Sequence, residues 1–134
     1  MPMPLTLLAL LIAACGMGAP AAASRLQQVP SGEWGGEHVK LTVDERGGFI
    51  EFDCGHGSLD EPLRLDAAGR FDVKGTHARE SGAARVDAQD PQPARYTGTS
   101  DGKTMELTMK VEGVEPSGPF QLALGQEAGV RKCM

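Results

Sequence analysis

Apolar residues recur at every second position through most of the chain. Val39-Leu41-Val43 alternates with His38-Lys40-Thr42, and Ile50-Phe52-Cys54 alternates with Phe49-Glu51-Asp53. A period of two sends successive side chains to opposite faces of a strand, so each segment offers one apolar face. Joining them through Glu45-Arg46-Gly47-Gly48 sets Val43 opposite Ile50, Leu41 opposite Phe52 and Val39 opposite Cys54. The same register pairs Lys40 with Asp53 on the polar side. A second hairpin is predicted at Asp66-Ala67-Ala68-Gly69-Arg70, a three-residue loop with Gly69 left-handed. There Leu63 faces Val73 and Leu65 faces Phe71, while Arg64–Asp72 and Asp66–Arg70 form opposite-charge pairs across the strands.

A third turn is predicted at Asp101-Gly102, a two-residue hairpin signal that aligns Tyr96 with Leu107 and Gly98 with Met105. Phe120-Leu122-Leu124 adds a strand, and Val130 to Cys133 a short last one. Only Thr76 to Pro93 reads as a long irregular stretch, a rim loop or surface excursion. Short strands with one apolar face must close on themselves or stack in layers. The expected fold is all-β: a small antiparallel meander of seven to eight strands, forming a closed or partly closed barrel.

The N-terminal pattern is different. Residues Leu5 to Ala14 are apolar and uncharged, too short to span a bilayer but suited to an export signal. The ending Leu11-Ile12-Ala13-Ala14-Cys15 resembles the lipobox of bacterial lipoproteins, in which the Cys is acylated and becomes the new N-terminus. A plain secretory cut after Ala21-Ala22-Ala23 also fits. The lipoprotein resemblance implies a signal peptide over 1–14, lipidation at Cys15 and attachment to the membrane through lipid. Gly16 rather than Asp after the Cys implies the periplasmic side of the outer membrane in a Gram-negative source. Residues 15–31 are small and Pro-bearing, a flexible tether, and 32–134 form a single domain.

The chain has three cysteines, and an odd count in an exported protein leaves one to explain. With Cys15 taken by lipid, Cys54 and Cys133 are left to pair in an oxidising compartment. The formal net charge is −5, with no basic run, which excludes nucleic acid as a partner. No Gly-x-Ser-x-Gly, His-Glu-x-x-His or phosphate-cradling Gly loop is present, so no enzyme and no cofactor is expected.

Histidines stand at positions 38, 56 and 77. In the predicted register His38 lies opposite Gly55, beside His56, with Asp53 close by and His77 at the start of the long stretch. Imidazoles with a carboxylate suit zinc or copper, although surface residues bonded to backbone have the same spacing. Glu51 and Asp53, about 7 Å apart on one strand face, have an acid–base spacing. Lys40 is expected to neutralise Asp53. Trp34, flanked by glycines, either plugs the barrel end or stacks on a ligand. Met105 and Met109 share an inner face, as core filling or as the lining of an apolar pocket.

The run Trp34-Gly35-Gly36-Glu37-His38 through Ile50-Glu51-Phe52-Asp53-Cys54-Gly55-His56-Gly57 resembles a group of small exported bacterial lipoproteins with no known activity. Pro62-Leu63-Arg64-Leu65, Gly69-Arg70-Phe71 and Ala94-Arg95-Tyr96-Thr97-Gly98 extend that resemblance. A looser similarity, carried by Ala94-Arg95-Tyr96, is to periplasmic lysozyme inhibitors. Three functions are therefore carried forward. The first is a monomeric, non-enzymatic envelope lipoprotein that binds a protein or small-molecule ligand through its rim. The second is a metal-binding envelope protein using His38 and His56, and the third an inhibitor of a secreted hydrolase such as lysozyme.

Overall fold

The computed structural model describes residues 27–80 and 90–133. The expected signal, Cys15 and the tether up to residue 26 lie outside the described residues. Eight strands follow one another: β1 (Gly32–Gly36), β2 (Val39–Asp44), β3 (Gly47–Phe52), β4 (Gly55–Leu59), β5 (Arg70–Arg79), β6 (Gln92–Ser100), β7 (Thr104–Val111) and β8 (Ser117–Leu124). Each pairs antiparallel with the next, and β8 closes on β1 through Trp34↔Leu124 and Gly36↔Leu122. The barrel is closed. Eight strands enclose a space that side chains can fill, and here they do. Trp34, Leu41, Ile50, Leu107 and Tyr96 are fully buried inside.

Inward positions also carry glycines, which set how tightly the wall can bend. A Cβ on Gly75 would lie 1.8 Å from the Ser58 carbonyl oxygen, and one on Gly98 1.9 Å from that of Glu106. At Gly57 it would lie 2.1 Å from the Thr76 oxygen and 2.4 Å from the Tyr96 hydroxyl. These strands approach so closely that no other residue fits. Side chains add hydrogen bonds along the β4–β5 ladder. Ser58 N donates to the Thr76 hydroxyl (3.2 Å), the two hydroxyls bond at 2.7 Å, and Tyr96 Oη donates to the Thr76 carbonyl at 2.7 Å.

One end of the barrel is plugged. Residues 27–30, expected in the tether, cross it beside Leu63: Val29 N donates to Leu63 O and Leu65 N to Gln27 O, each at 2.9 Å. Val29 and Leu63 are buried there, and Trp34 Nε1 donates to Pro30 O at 3.1 Å.

The strand parity predicted from alternation holds for the apolar positions of β2 and β3. Cys54, expected inward opposite Val39, instead lies exposed beyond the end of β3, and several registers differ by two residues. In the first hairpin Leu41 pairs with Ile50 and Val39 with Phe52, so the loop is only Glu45-Arg46. Asp44 Oδ1 accepts from Arg46 N (2.8 Å) and Gly47 N (3.0 Å), building the turn one step earlier. Lys40 consequently faces Glu51, not Asp53, and bonds Glu33 at 3.2 Å. In the third hairpin Ser100 pairs with Met105, Gly98 with Leu107 and Tyr96 with Met109. That turn is organised by Asp101 Oδ1, which accepts from Lys103 N and Thr104 N, rather than by two residues alone.

The Gly69 turn forms as expected, with φ 77° and Asp66 N donating to Arg70 O. Leu63-Arg64-Leu65, however, is not a strand beside β5. The glycine-rich segment Gly55–Leu59 takes that place as β4, and Asp72 is bonded by Arg95 at 2.7 Å instead of by Arg64. Thr76–Arg79 and Gln92–Pro93 belong to β5 and β6, while 81–89 lie outside the described residues. Val130 to Cys133 forms no strand. The C-terminal segment touches the barrel through a Glu37↔Gly129 bridge, Cys133 N donating to Asp53 O (3.0 Å) and the Cys54–Cys133 disulfide.

Three variants test this account by urea unfolding. Gly75→Ala is expected to cost about 1–3 kcal/mol by overpacking. Tyr96→Phe leaves the Thr76 carbonyl without its hydroxyl partner and should cost about 1–3 kcal/mol. Replacing Cys54 and Cys133 together by Ala should cost about 4 kcal/mol by freeing a long loop in the unfolded chain. A midpoint unchanged in Gly75→Ala would contradict the packing argument.

Candidate functional site

The second barrel end, where β2 begins and β3 turns into β4, carries His38 and His77 at its mouth, with His56 on the adjoining outer wall. His38 sits in the β1–β2 turn with φ 69°, a left-handed conformation that His tolerates better than most residues. Its Nδ1 donates to Asp53 Oδ2 at 2.7 Å, which leaves Nε2 as the ring's free acceptor. Asp53 lies in the β3–β4 turn, and its Oδ1 accepts from Arg131 N at 2.8 Å. That backbone bond from the C-terminal segment is the largest influence on the Asp53 carboxyl; burial opposes it, and the bond from His38 helps to hold the pKa below its usual range.

His56 is elsewhere. Its neighbours Gly55 and Gly57 are buried, so on β4 it faces outward, where its ring stacks on Phe49 (centroids 5.9 Å, planes 28° apart). Its Nδ1 donates to Glu80 Oε2 at 2.7 Å. Lys132 Nζ donates to the same oxygen (3.0 Å) and to the carbonyls of Phe52 (3.0 Å) and Gly55 (3.3 Å), with Glu51 Oε1 at 3.8 Å. Burial alone would raise the Glu80 pKa, but the bonds from His56 and Lys132 outweigh it and the net shift is downward. The expected grouping of His38, His56 and Asp53 therefore does not form. Asp53 serves His38, and Glu80 serves His56. The expected acid–base spacing of Glu51 and Asp53 is likewise taken up, by Lys132 and by His38 with Arg131.

His77 pairs across from Gly57 on β5, and its ring packs against Phe52 at 5.7 Å. Gly55 makes room for it, since a Cβ there would lie 2.6 Å from His77 Nε2. Burial lowers the His77 pKa, helped by the nearby His56 and Arg79 and opposed by Glu80. The ring is neutral near pH 7, and among the described residues it makes no hydrogen bond.

His38 and His77 line one cleft of about 300 Å³ at this end, together with Phe52, Phe120, Met109 and Ser117. Phe52 and Phe120 form its floor, with ring centroids 5.2 Å apart. An apolar floor with a few convergent polar groups is the usual form of a small-ligand site. A larger depression of about 830 Å³ crosses the outer wall by Arg64, Arg70, Asp72, Thr97, Glu106 and Thr108. There Leu65 and Phe71 are surrounded by charged side chains of both signs, and no histidine is among the lining.

Trp34, expected as a plug or a stacking platform, is wholly buried and closed to any ligand. Met105 and Met109 both belong to the buried core, and Met109 also lines the cleft. Phe120, Glu80 and Lys132 carried no sequence signal, because only the fold brings them to this end. Ala94-Arg95-Tyr96 lies in mid-β6, with Tyr96 buried and Arg95 held by Asp72. Among the described residues no three of His, Cys, Asp and Glu gather into a group that could hold a metal ion. No protein-family model, curated protein or solved structure matches the chain.

The lowered His77 pKa has a consequence for stability. The unfolded chain takes up a proton at an ordinary imidazole pKa, near 6.5, before the folded protein does. Stability from the buried neutral ring is thus full above that value and is lost as pH falls through the lower folded value. Asp53 and Glu80, also shifted downward, add their losses only below the ordinary carboxylate range. His77→Leu should flatten the fall in melting temperature between pH 6.5 and the carboxylate range, measured by thermal unfolding across pH. An unaltered slope in that window would remove His77 as its source.

Proposed function

We propose that the chain is a lipid-anchored, non-enzymatic binding module of the bacterial cell envelope, which takes a small, partly apolar ligand into the open end of its barrel. The observation that carries the reading is the asymmetry of the two ends. One is plugged by Val29 and Leu63, while the other keeps a cleft floored by Phe52 and Phe120 and rimmed by imidazoles. A barrel that needed only to be stable would fill both ends, since each buried apolar side chain is worth about 1.5–3 kcal/mol.

The address rests on the lipobox-like leader, and the Cys54–Cys133 pairing supports an oxidising compartment. More than one acyl chain on Cys15 gives stable anchoring, because each buried methylene adds about 0.8 kcal/mol. The non-enzymatic reading is supported by the hydrogen bonds of the imidazoles. Where His38 and His56 bond a side chain, that partner is a carboxylate, and among the described residues no Ser, Thr or Cys is poised on a ring nitrogen as a nucleophile.

Two measurements test the proposal. Detergent phase partitioning of the protein expressed in a bacterial host should place it in the detergent phase, and Cys15→Ala should move it to the aqueous phase. For the cleft, a fluorinated aromatic fragment library screened by NMR should give hits that shift the resonances of His77 and Phe120. Ser117→Trp, which fills the cleft, should abolish them. Hits confined to the outer wall, or none at all, would sink the cleft as the binding site.

A further inference from the structure

Three side chains of the cleft form a set that none of them suggests alone. His38 has its Nδ1 engaged by Asp53, so Nε2 is the ring atom left to bind a ligand. Fixing one imidazole nitrogen by a carboxylate is how proteins orient a metal-binding histidine and raise its donor strength. His77 lines the same cleft as a ring without a hydrogen-bond partner among the described residues. Met109 adds a thioether from β7, mostly buried and in the same lining.

Two imidazoles and a soft thioether make a donor set without a charged ligand, with the nearest carboxylate already committed to His38 and to Arg131 N. Hard divalent ions prefer several oxygen ligands, and among the described residues no three of His, Cys, Asp and Glu gather as a site for them or for zinc, whereas a thioether suits copper(I). An apolar floor of Phe52 and Phe120 also favours an ion of low charge over a strongly hydrated one. From this arrangement we infer that the cleft binds one copper(I) ion through His38, His77 and Met109. The inference rests on the open barrel end being the ligand site and names its occupant. His56, on the outer wall with Glu80 and Lys132, takes no part.

The test is anaerobic competition for copper(I) against bicinchoninate, with ascorbate as reductant so that the Cys54–Cys133 bond stays oxidised. The full chain carries Cys15→Ala to remove a competing sulfur. One equivalent of copper(I) should be withdrawn. His77→Ala and Met109→Leu should each weaken binding about tenfold or more, and Asp53→Asn about 10–100-fold as the group that orients His38. His56→Ala should bind as the parent does. Met109→Leu conserves volume and is expected to fold, which circular dichroism checks. Copper K-edge absorption of the parent complex should show a sulfur neighbour and supplies a readout independent of any variant.

No withdrawal of copper, unaltered affinity in Met109→Leu, a spectrum without sulfur, or displacement of copper(I) by equimolar zinc would each overturn the assignment. Aromatic fragments binding at His77 and Phe120 with no copper withdrawn would leave the ligand site standing and remove copper alone. Absence of both would remove the site itself.

Discussion

Closing eight short strands around so few bulky residues requires backbone to lie directly on backbone at several points of the wall. Gly57, Gly75 and Gly98 are where this happens, and at each a Cβ would overlap a neighbouring carbonyl oxygen. The β4–β5 contact is the tightest, and Ser58 and Tyr96 reinforce it with hydrogen bonds to Thr76. Buried polar groups without partners would cost more than the approach gains. The bent wall and the buried Tyr96 hydroxyl are therefore one device. The same bend brings His77 over Gly55 and so forms one side of the cleft.

The opposite side of the cleft is fixed by the C-terminal segment. Cys133 is bonded to Cys54, its amide donates to Asp53 O, and Arg131 N donates to Asp53 Oδ1. Asp53 in turn orients His38. Lys132 extends the clamp by capping the carbonyls of Phe52 and Gly55, the residues on either side of the β3–β4 turn. A chain end that makes no strand thus sets the position of a rim histidine. The disulfide contributes to the site as well as to the stability of the unfolded-to-folded balance.

Alternation identified which face of each strand is buried, and it did so wherever side chains were present to alternate. Val39, Leu41, Val43, Ile50 and Phe52 all point inward as read from the sequence. Register was less legible, because a shift of two residues preserves every inward position and so leaves the hydrophobic pattern unchanged. Asp44 and Asp101 decided the loops by accepting main-chain amides, a local chemistry that competes with turn length. β4 was hidden for a different reason. Gly55-His56-Gly57-Ser58-Leu59 lacks the β-branched residues that mark strands, and its glycines signal close approach only once its neighbours are known. Missing that strand misplaced His56 in a turn and gave His38 the wrong neighbour. The identities of the site residues were readable; their grouping depended on one strand.

The two histidine–carboxylate pairs at this end look alike on paper, with the same atoms and the same 2.7 Å separation. Their surroundings separate them. Around His56, Phe49 covers one ring face and Glu80 also accepts from Lys132, so the pair ties β4 to the end of β5 and to the C-terminal segment. Around His38, Asp53 also accepts a backbone amide rather than a lysine ammonium, and the imidazole stands at the edge of a cavity. A ring buttressed on several sides and tied to charged partners has a structural use that accounts for its position. A ring oriented by one carboxylate toward an open cleft has its second nitrogen left over. The physical difference between holding the barrel together and holding something else thus lies in the surroundings of each ring, and of the two only His38 shares a cavity with His77 and Met109.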